Sequence, residues 1–221
     1  MSERERFQPL DAAADISVKA RNLPHWFQPG CAYFVTFRLA DSLAQPELQR
    51  WVWERDSWLK NNPRPWSSRQ VREYRQNFGE RFEAALDAGY GSCVLGSENA
   101  RGIVETAFRH FDGERYALDD YVIMPNHVHA IVMPFCTESA NNGVGSPLSR
   151  ILHTWKSFTA KQINALNGTS GPLWRDENFD VAVRSEAHLQ KYRDYIKANP
   201  DKARLSQCRF SAGRGTGLQI A

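Results

Sequence analysis

Residues 116–134 read YALDDYVIMPNHVHAIVMP. Two apolar runs, 116–124 and 127–133, flank Pro125-Asn126, a pair that favours a tight turn because proline presets φ and asparagine can hydrogen-bond its own backbone. The stretch therefore predicts a β-hairpin. Side chains alternate across a strand, so His127 and His129 share one face while Val128 takes the other. Two imidazoles spaced this way on a rigid strand can share one divalent cation. Taken alone, the HxH pair is equally compatible with two histidines that hydrogen-bond near the surface.

Working outward, residues 32–39 (AYFVTFRL) alternate, with Tyr33, Val35, Phe37 and Leu39 on one face and Phe34 and Thr36 on the other, which predicts a second strand. Residues 97–111 predict a helix capped by Ser97 that turns Ile103, Val104, Ala107 and Phe111 inward. Residues 46–60 predict another, opened by Pro46, with Leu48, Trp51, Val52, Trp58 and Leu59 along one side. Residues 63–77 break the pattern and read as an insertion or mobile loop, and residues 1–24 as a poorly ordered lead-in. On the far side, 137–147 (TESANNGVGSP) read as a linker and 148–166 as a long amphipathic helix. Residues 173–183 (LWRDENFDVAV) then read as an edge strand. Residues 185–199 predict a helix capped by Ser185 and stopped by Pro200, and 207–221 a flexible tail. Hairpin pairing among irregularly alternating elements gives an α+β class with an antiparallel sheet, in one domain over 25–206.

The chain has 221 residues, 42% of them hydrophobic, enough to bury a sizeable core. It has no run of eighteen apolar residues, and its first residues, MSERERFQPLDAAADISV, are charged where a signal peptide needs an apolar stretch. The expectation is a soluble cytoplasmic protein without membrane contact, monomeric or homodimeric. Cys31, Cys93, Cys136 and Cys208 form no CxxC pair and read as buried thiols.

Charge is unevenly placed. Residues 60–78 carry Lys60, Arg64, Arg69, Arg72 and Arg75 against Glu73, a net +4, and 184–214 carry eight basic against three acidic side chains, a net +5, whereas the whole chain is only +3. Such localisation fits a polyanionic partner, although a charge run taken singly is more often a solvated face. Trp66, Tyr74 and Phe78 interleave with the first cluster, and aromatic faces stack on unpaired bases. Arg64, Trp66, Arg69, Arg72, Arg75, Lys191, Lys197 and Lys202 are the candidate DNA-binding residues.

In the last predicted helix, 100° per residue puts Leu189 and Ile196 on a core stripe and His188, Tyr192, Tyr195 and Asn199 on the adjoining flank. Tyr195 and Asn199, at i and i+4, are about 6 Å of rise apart and can face one site. Tyr192 is about 10 Å of rise from Asn199, so Tyr195 is the better placed phenol if Asn199 is a third metal ligand. A helical tyrosine by itself is more often an amphipathic surface residue. Two histidines, an amide oxygen and a phenol together suit attack of tyrosinate on a phosphodiester beside Mg²⁺ or Mn²⁺.

Three ordered stretches, YVIMPNHVHAIVMP, SRILHTWKSFTAKQIN and GPLWRDENFDVAVRSEAHLQKYRDYIKANPDKARL, resemble the REP-associated tyrosine transposases, relatives of the single-tyrosine HUH transposases. The resemblance spans about 22–206. It implies that His127 and His129 hold the metal, that Tyr195 is the nucleophile, and that Asn199 assists the metal. It also implies a ferredoxin-like core with the histidine strand central. The implied chemistry is cleavage of single-stranded DNA leaving a 5′-phosphotyrosine and a free 3′-hydroxyl, on imperfect hairpins with a short flanking tetranucleotide. Departures are WRDENFD where the family has WQREYFD, with Asn178 replacing an aromatic residue, and KANPDKARL where it has ENNPVKAGL. Two other readings fit parts of the sequence. One is a hairpin-binding protein with little or no cleavage. The other is a two-histidine phosphoesterase, which needs a second His-x-Thr or His-x-Ser pair that neither His153-Thr154-Trp155 nor His188-Leu189-Gln190 provides.

Overall fold

A computed structural model describes residues 6–9, 17–20, 24–63, 65–135 and 145–220. In chain order the strands are β1 (Arg6–Phe7), β2 (Ser17–Ala20), β3 (Pro24–Phe27), β4 (Tyr33–Arg38), β5 (Tyr116–Ile123), β6 (His127–Pro134), β7 (Phe179–Ala182), β8 (Ser211–Arg214) and β9 (Gln219–Ile220). The helices are α1 (Gln45–Asn61), α2 (Ser68–Tyr74), α3 (Arg81–Asp87), α4 (Glu98–Arg109), α5 (Pro147–Asn167) and α6 (Glu186–Lys202).

The apolar runs of β4, β5 and β6 are buried on both faces, which requires helices above and below the sheet. The five-stranded antiparallel sheet has the order β7-β4-β6-β5-β8. Within it, β4-α4-β5-β6-α5-β7 follow the βαββαβ succession of a ferredoxin-like unit, and the histidine strand β6 lies in the middle. Tyr33, Val35, Phe37, Val128, Ala130 and Val132 form one face and pack against Val104, Phe108, Leu152 and Trp155 of α4 and α5. Phe34, Ile131 and Met133 on the other face meet Leu189 and Ile196 of α6. Each such side chain, fully buried, contributes roughly 1.5–3 kcal/mol. The class is therefore α+β, with the two parities of β6 divided between a purely structural face and the α6 face.

The register of β5 on β6 shifts between Leu118 and Tyr121, so Asp119 and Asp120 are both buried at a bulge. Arg193 of α6 donates to Asp119 over 2.7 Å, and Arg214 of β8 donates to Asp120 and lies 3.3 Å from Asp119. These ion pairs bind residues 211–218 to the sheet, and Leu218 is buried beneath them. The expected flexible tail at 207–221 is corrected accordingly: β8 is an edge strand of the main sheet. The lead-in is corrected likewise where it is described, since Phe7 is buried and β1 pairs with β9 while β2 pairs with β3. Much of the predicted 137–147 linker lies outside the described residues.

Residues 63–77 do belong to an insertion, but from Ser68 onward it is helical and not a loop. From Ser68 the chain runs through α2, a π-helical segment Arg75–Glu80 and α3 without a break. Together with α1 this makes a helical arm inserted between β4 and α4. Its interior is aromatic: Trp58, Trp66, Tyr74 and Phe78 pack with ring centroids 4.9–6.0 Å apart. The apolar side of α1 meets this arm rather than the sheet, which is why Arg55 is its only buried residue among those described. Pro200 does not stop α6, which continues to Lys202, because a proline in the last turn removes only one backbone donor. Cys31 is buried, but Cys93 is half-buried and Cys208 exposed, so the expectation of four buried thiols fails for these two; Cys136 lies outside the described residues. Among the described residues no helix is long and apolar enough to cross a membrane.

Candidate metal and nucleophile site

The pleat of β6 turns His127 and His129 toward α6, and both rings are fully buried. Asn126, at the hairpin turn, fixes the state of the first. Its amide nitrogen donates to the carbonyls of Leu86 and Tyr90 over 3.1 and 3.2 Å, leaving its oxygen 2.8 Å from Nδ1 of His127. An amide oxygen only accepts, so Nδ1 carries the proton and Nε2 presents a bare lone pair. That Nε2 is buried without a hydrogen-bond partner. His129 is oriented by Thr36, its register partner on β4, whose hydroxyl is 2.8 Å from Nδ1. Burial pushes the pKa of His127 down to about 3, and burial together with the neighbouring imidazole pushes that of His129 well below its ordinary value. Both rings are neutral, the form that ligates metals.

Ser185 caps α6 by accepting from the His188 amide, and the helix then delivers Tyr195 and Asn199 to the histidines one turn apart. The Tyr195 ring stands edge-on to His129 with centroids 5.2 Å apart. Asn199 is buried, with Nδ2 3.5 Å from His129 Nε2 and Oδ1 without a partner. Tyr192 instead lies flat on Phe34, centroids 4.3 Å apart. The α6 flank anticipated from helical spacing is thus brought against the histidine strand.

Residues that sequence reasoning passed over come from the arm. Glu83 of α3 accepts the hydroxyl proton of Tyr195 in a 2.6 Å hydrogen bond and lies 3.6 Å from His129 Nε2. Asp87, one turn on, places Oδ1 4.0 Å from His127 Nε2. Burial raises the Glu83 carboxyl to about 7 against the opposing Tyr195 hydrogen bond, and burial also raises Asp87. Burial, then the charge of Glu83 and its hydrogen bond, push the Tyr195 phenol far up and keep it protonated. The i, i+4 spacing of Glu83 and Asp87 in RFEAALD was the available signal, legible only once 68–87 is taken as helical.

Among the described residues, no three His, Cys, Asp or Glu side chains already form a metal-binding group. The separations of 3.6 and 4.0 Å explain this, because neighbouring ligands on a cation with bonds of about 2.1 Å stand about 3 Å apart. The donors nevertheless fit a divalent cation: His127 Nε2, Asp87 Oδ1 and Asn199 Oδ1 are all buried polar atoms without hydrogen-bond partners. Two neutral imidazoles with oxygen donors suit Mn²⁺, and Mg²⁺ less well.

The candidate DNA-binding residues are dispersed. Lys202 is at the site, its Nζ 4.8 Å from the centre of the Tyr195 ring. Arg69, Arg72, Lys191 and Lys197 are exposed, Lys197 with its Nζ 3.9 Å from Asp120. Trp66 is packed in the arm and donates to the Asn62 carbonyl over 2.8 Å, so its ring is a structural element there. Arg64 and the side chain of Arg75 lie outside what is described. Arg193 and Arg214 neutralise Asp119 and Asp120, which diminishes the positive field of 184–214. An open cleft of about 990 Å³ between α5 and residues 172–180 contains none of the site residues.

No family model matches this chain, and no curated protein matches it. Among solved structures, it is similar to a REP-associated tyrosine transposase bound to a REP hairpin, at 15% sequence identity and a TM-score of 0.43, covering 83% of this chain and 73% of that one. What the site can do follows from its own geometry.

Proposed function

We propose that this chain is a metal-dependent single-stranded DNA transesterase of the tyrosine transposase kind, acting on DNA hairpins. The observation that carries this reading is the meeting of one phenol with two neutral, strand-held imidazoles. The Tyr195 ring stands 5.2 Å from His129, and the donors around it include buried atoms that lack partners. His127, His129 and Asn199 would hold Mg²⁺ or Mn²⁺, which when bound stabilises charge building on a phosphodiester. Tyr195 Oη forms the bond to phosphorus while the bond from phosphorus to the 3′ oxygen breaks, and the departing oxygen takes a proton from water, leaving a 5′-phosphotyrosine and a free 3′-hydroxyl. The phenolic proton passes to Glu83 Oε2, the acceptor already 2.6 Å away. Lys202 offers positive charge beside the ring for the phosphate.

A second reading, hairpin binding with little cleavage, is favoured by the burial of the Tyr195 phenol, which holds its proton tightly and leaves little nucleophilic phenolate. One experiment separates the two. The protein is incubated with Mn²⁺ or Mg²⁺ and end-labelled hairpin single strands, and a denaturing gel is read for a DNA–protein adduct that survives boiling. The transesterase gives an adduct that is lost in Tyr195→Phe and kept in Tyr192→Phe. An adduct that persists in Tyr195→Phe rejects the assignment of the nucleophile. Tight hairpin binding without any adduct selects the second reading.

A further inference from the structure

We infer that Asp87, carried on the inserted arm, is a ligand of the cation at His127, so that the arm completes the metal site; this rests on the proposed function above. The two residues confront each other without a direct bond between them. Asn126 commits the His127 proton to Nδ1, so Nε2 offers a lone pair, and Asp87 Oδ1 offers another. Both atoms are buried, neither has a hydrogen-bond partner, and they face each other at 4.0 Å. That separation is too long for a hydrogen bond, so neither atom satisfies the other directly. Two desolvated acceptors opposed in this way are costly, and a cation held by both atoms would satisfy them together.

The arm is built to hold Asp87 there. Leu86 is fully buried, and its carbonyl and that of Tyr90, on either side of Asp87, are the two that Asn126 grips. Leu95, where the arm rejoins the core, donates to the carbonyl of Pro125 in the same turn. One asparagine thus fixes the tautomer of a histidine ligand and the position of the carboxylate opposite it. Ligands positioned this way need little reordering to bind.

The test titrates Mn²⁺ into the chelator-treated, dialysed 221-residue chain and follows free Mn²⁺ by electron paramagnetic resonance, with melting temperatures measured in parallel. The expected result is one Mn²⁺ site that is at least tenfold weaker in Asp87→Asn and lost in His127→Ala. Without metal, Asp87→Asn melts at the same or a higher temperature, because its amide can donate to His127 Nε2, while the rise that Mn²⁺ produces in the unaltered chain disappears. Mn²⁺ affinity unchanged in Asp87→Asn overturns the inference and leaves the strand-transfer reading standing. No Mn²⁺ binding by the unaltered chain also overturns it. Asp87-dependent Mn²⁺ binding without any DNA adduct upholds the inference while the proposed function falls.

Discussion

The hydroxyl of Tyr195 and the carboxylate of Glu83 meet at 2.6 Å although 112 residues separate them in the chain. One belongs to the helix that crosses the sheet, the other to an arm inserted between the first sheet strand and α4. Glutamine at 83 keeps an acceptor oxygen but cannot take up the phenolic proton. Glu83→Gln is therefore expected to slow single-turnover adduct formation by roughly 10²–10⁴-fold. A change of less than about threefold would remove Glu83 from the proton's path.

Thr36 supports His129 from the neighbouring strand through a 2.8 Å contact with Nδ1. Thr36→Val keeps the shape and removes the hydroxyl, freeing the ring to change tautomer. Loss of such an orienting partner typically weakens a metal site about 10–100-fold. The Mn²⁺ concentration for half-maximal adduct formation is expected to rise by that factor, and the metal-free protein to lose about 1–3 kcal/mol because Nδ1 is left buried without its partner.

Arg193 neutralises the fully buried Asp119 and also donates to the Leu218 carbonyl over 3.0 Å. Arg193→Ala leaves the carboxylate with Arg214 alone, at 3.3 Å. Breaking a buried pair from one side costs about 3–5 kcal/mol, and the shared Arg214 places this case toward the lower end. Urea unfolding should show the loss, and protease should cut after residue 211 faster than in the unaltered chain. Equal stability would mean that the tail is held by β8 pairing alone.

Buried weak acids, Cys31 and Tyr116 among them, set the alkaline limit. Burial pushes the Cys31 thiol up to about 11, and burial pushes the Tyr116 phenol up to about 12. Below the unfolded-chain values, about 8.5 for cysteine and about 10 for tyrosine, both states are protonated and neither group affects folding. Above them the unfolded chain releases protons that the folded chain retains, so stability is lost as pH rises from about 9 toward 11. The melting temperature should fall across that window, by less in Cys31→Ala than in the unaltered chain after normalising each to pH 7.5. A parallel fall in both would exclude Cys31 as a cause.

Elements whose signal is local were legible from residues alone. The alternation of β4 and β6, the turn at Pro125-Asn126 and the Ser185 cap depend on neighbours one to four positions away, and each forms where its pattern lies. The arm was hidden because its helix buries aromatic side chains against α1 instead of showing a stripe toward the sheet. The tail was hidden because β8, with the sequence SAGR, has no apolar alternation; its place on the sheet comes from Arg214 reaching the two aspartates of a bulge about ninety residues upstream.

The sequence by itself determined that His127 and His129 share a face and that Tyr195 and Asn199 share a flank, since strand and helix periods are properties of the backbone. Only the tertiary structure decided which residues complete the site. Glu83 and Asp87 approach because the arm packs its own aromatic core and is gripped by Asn126, and the neutrality of the histidines and the weak acidity of Tyr195 arise from the burial that follows. Desolvation depends on what lies around a group in space, and no spacing along a chain encodes it.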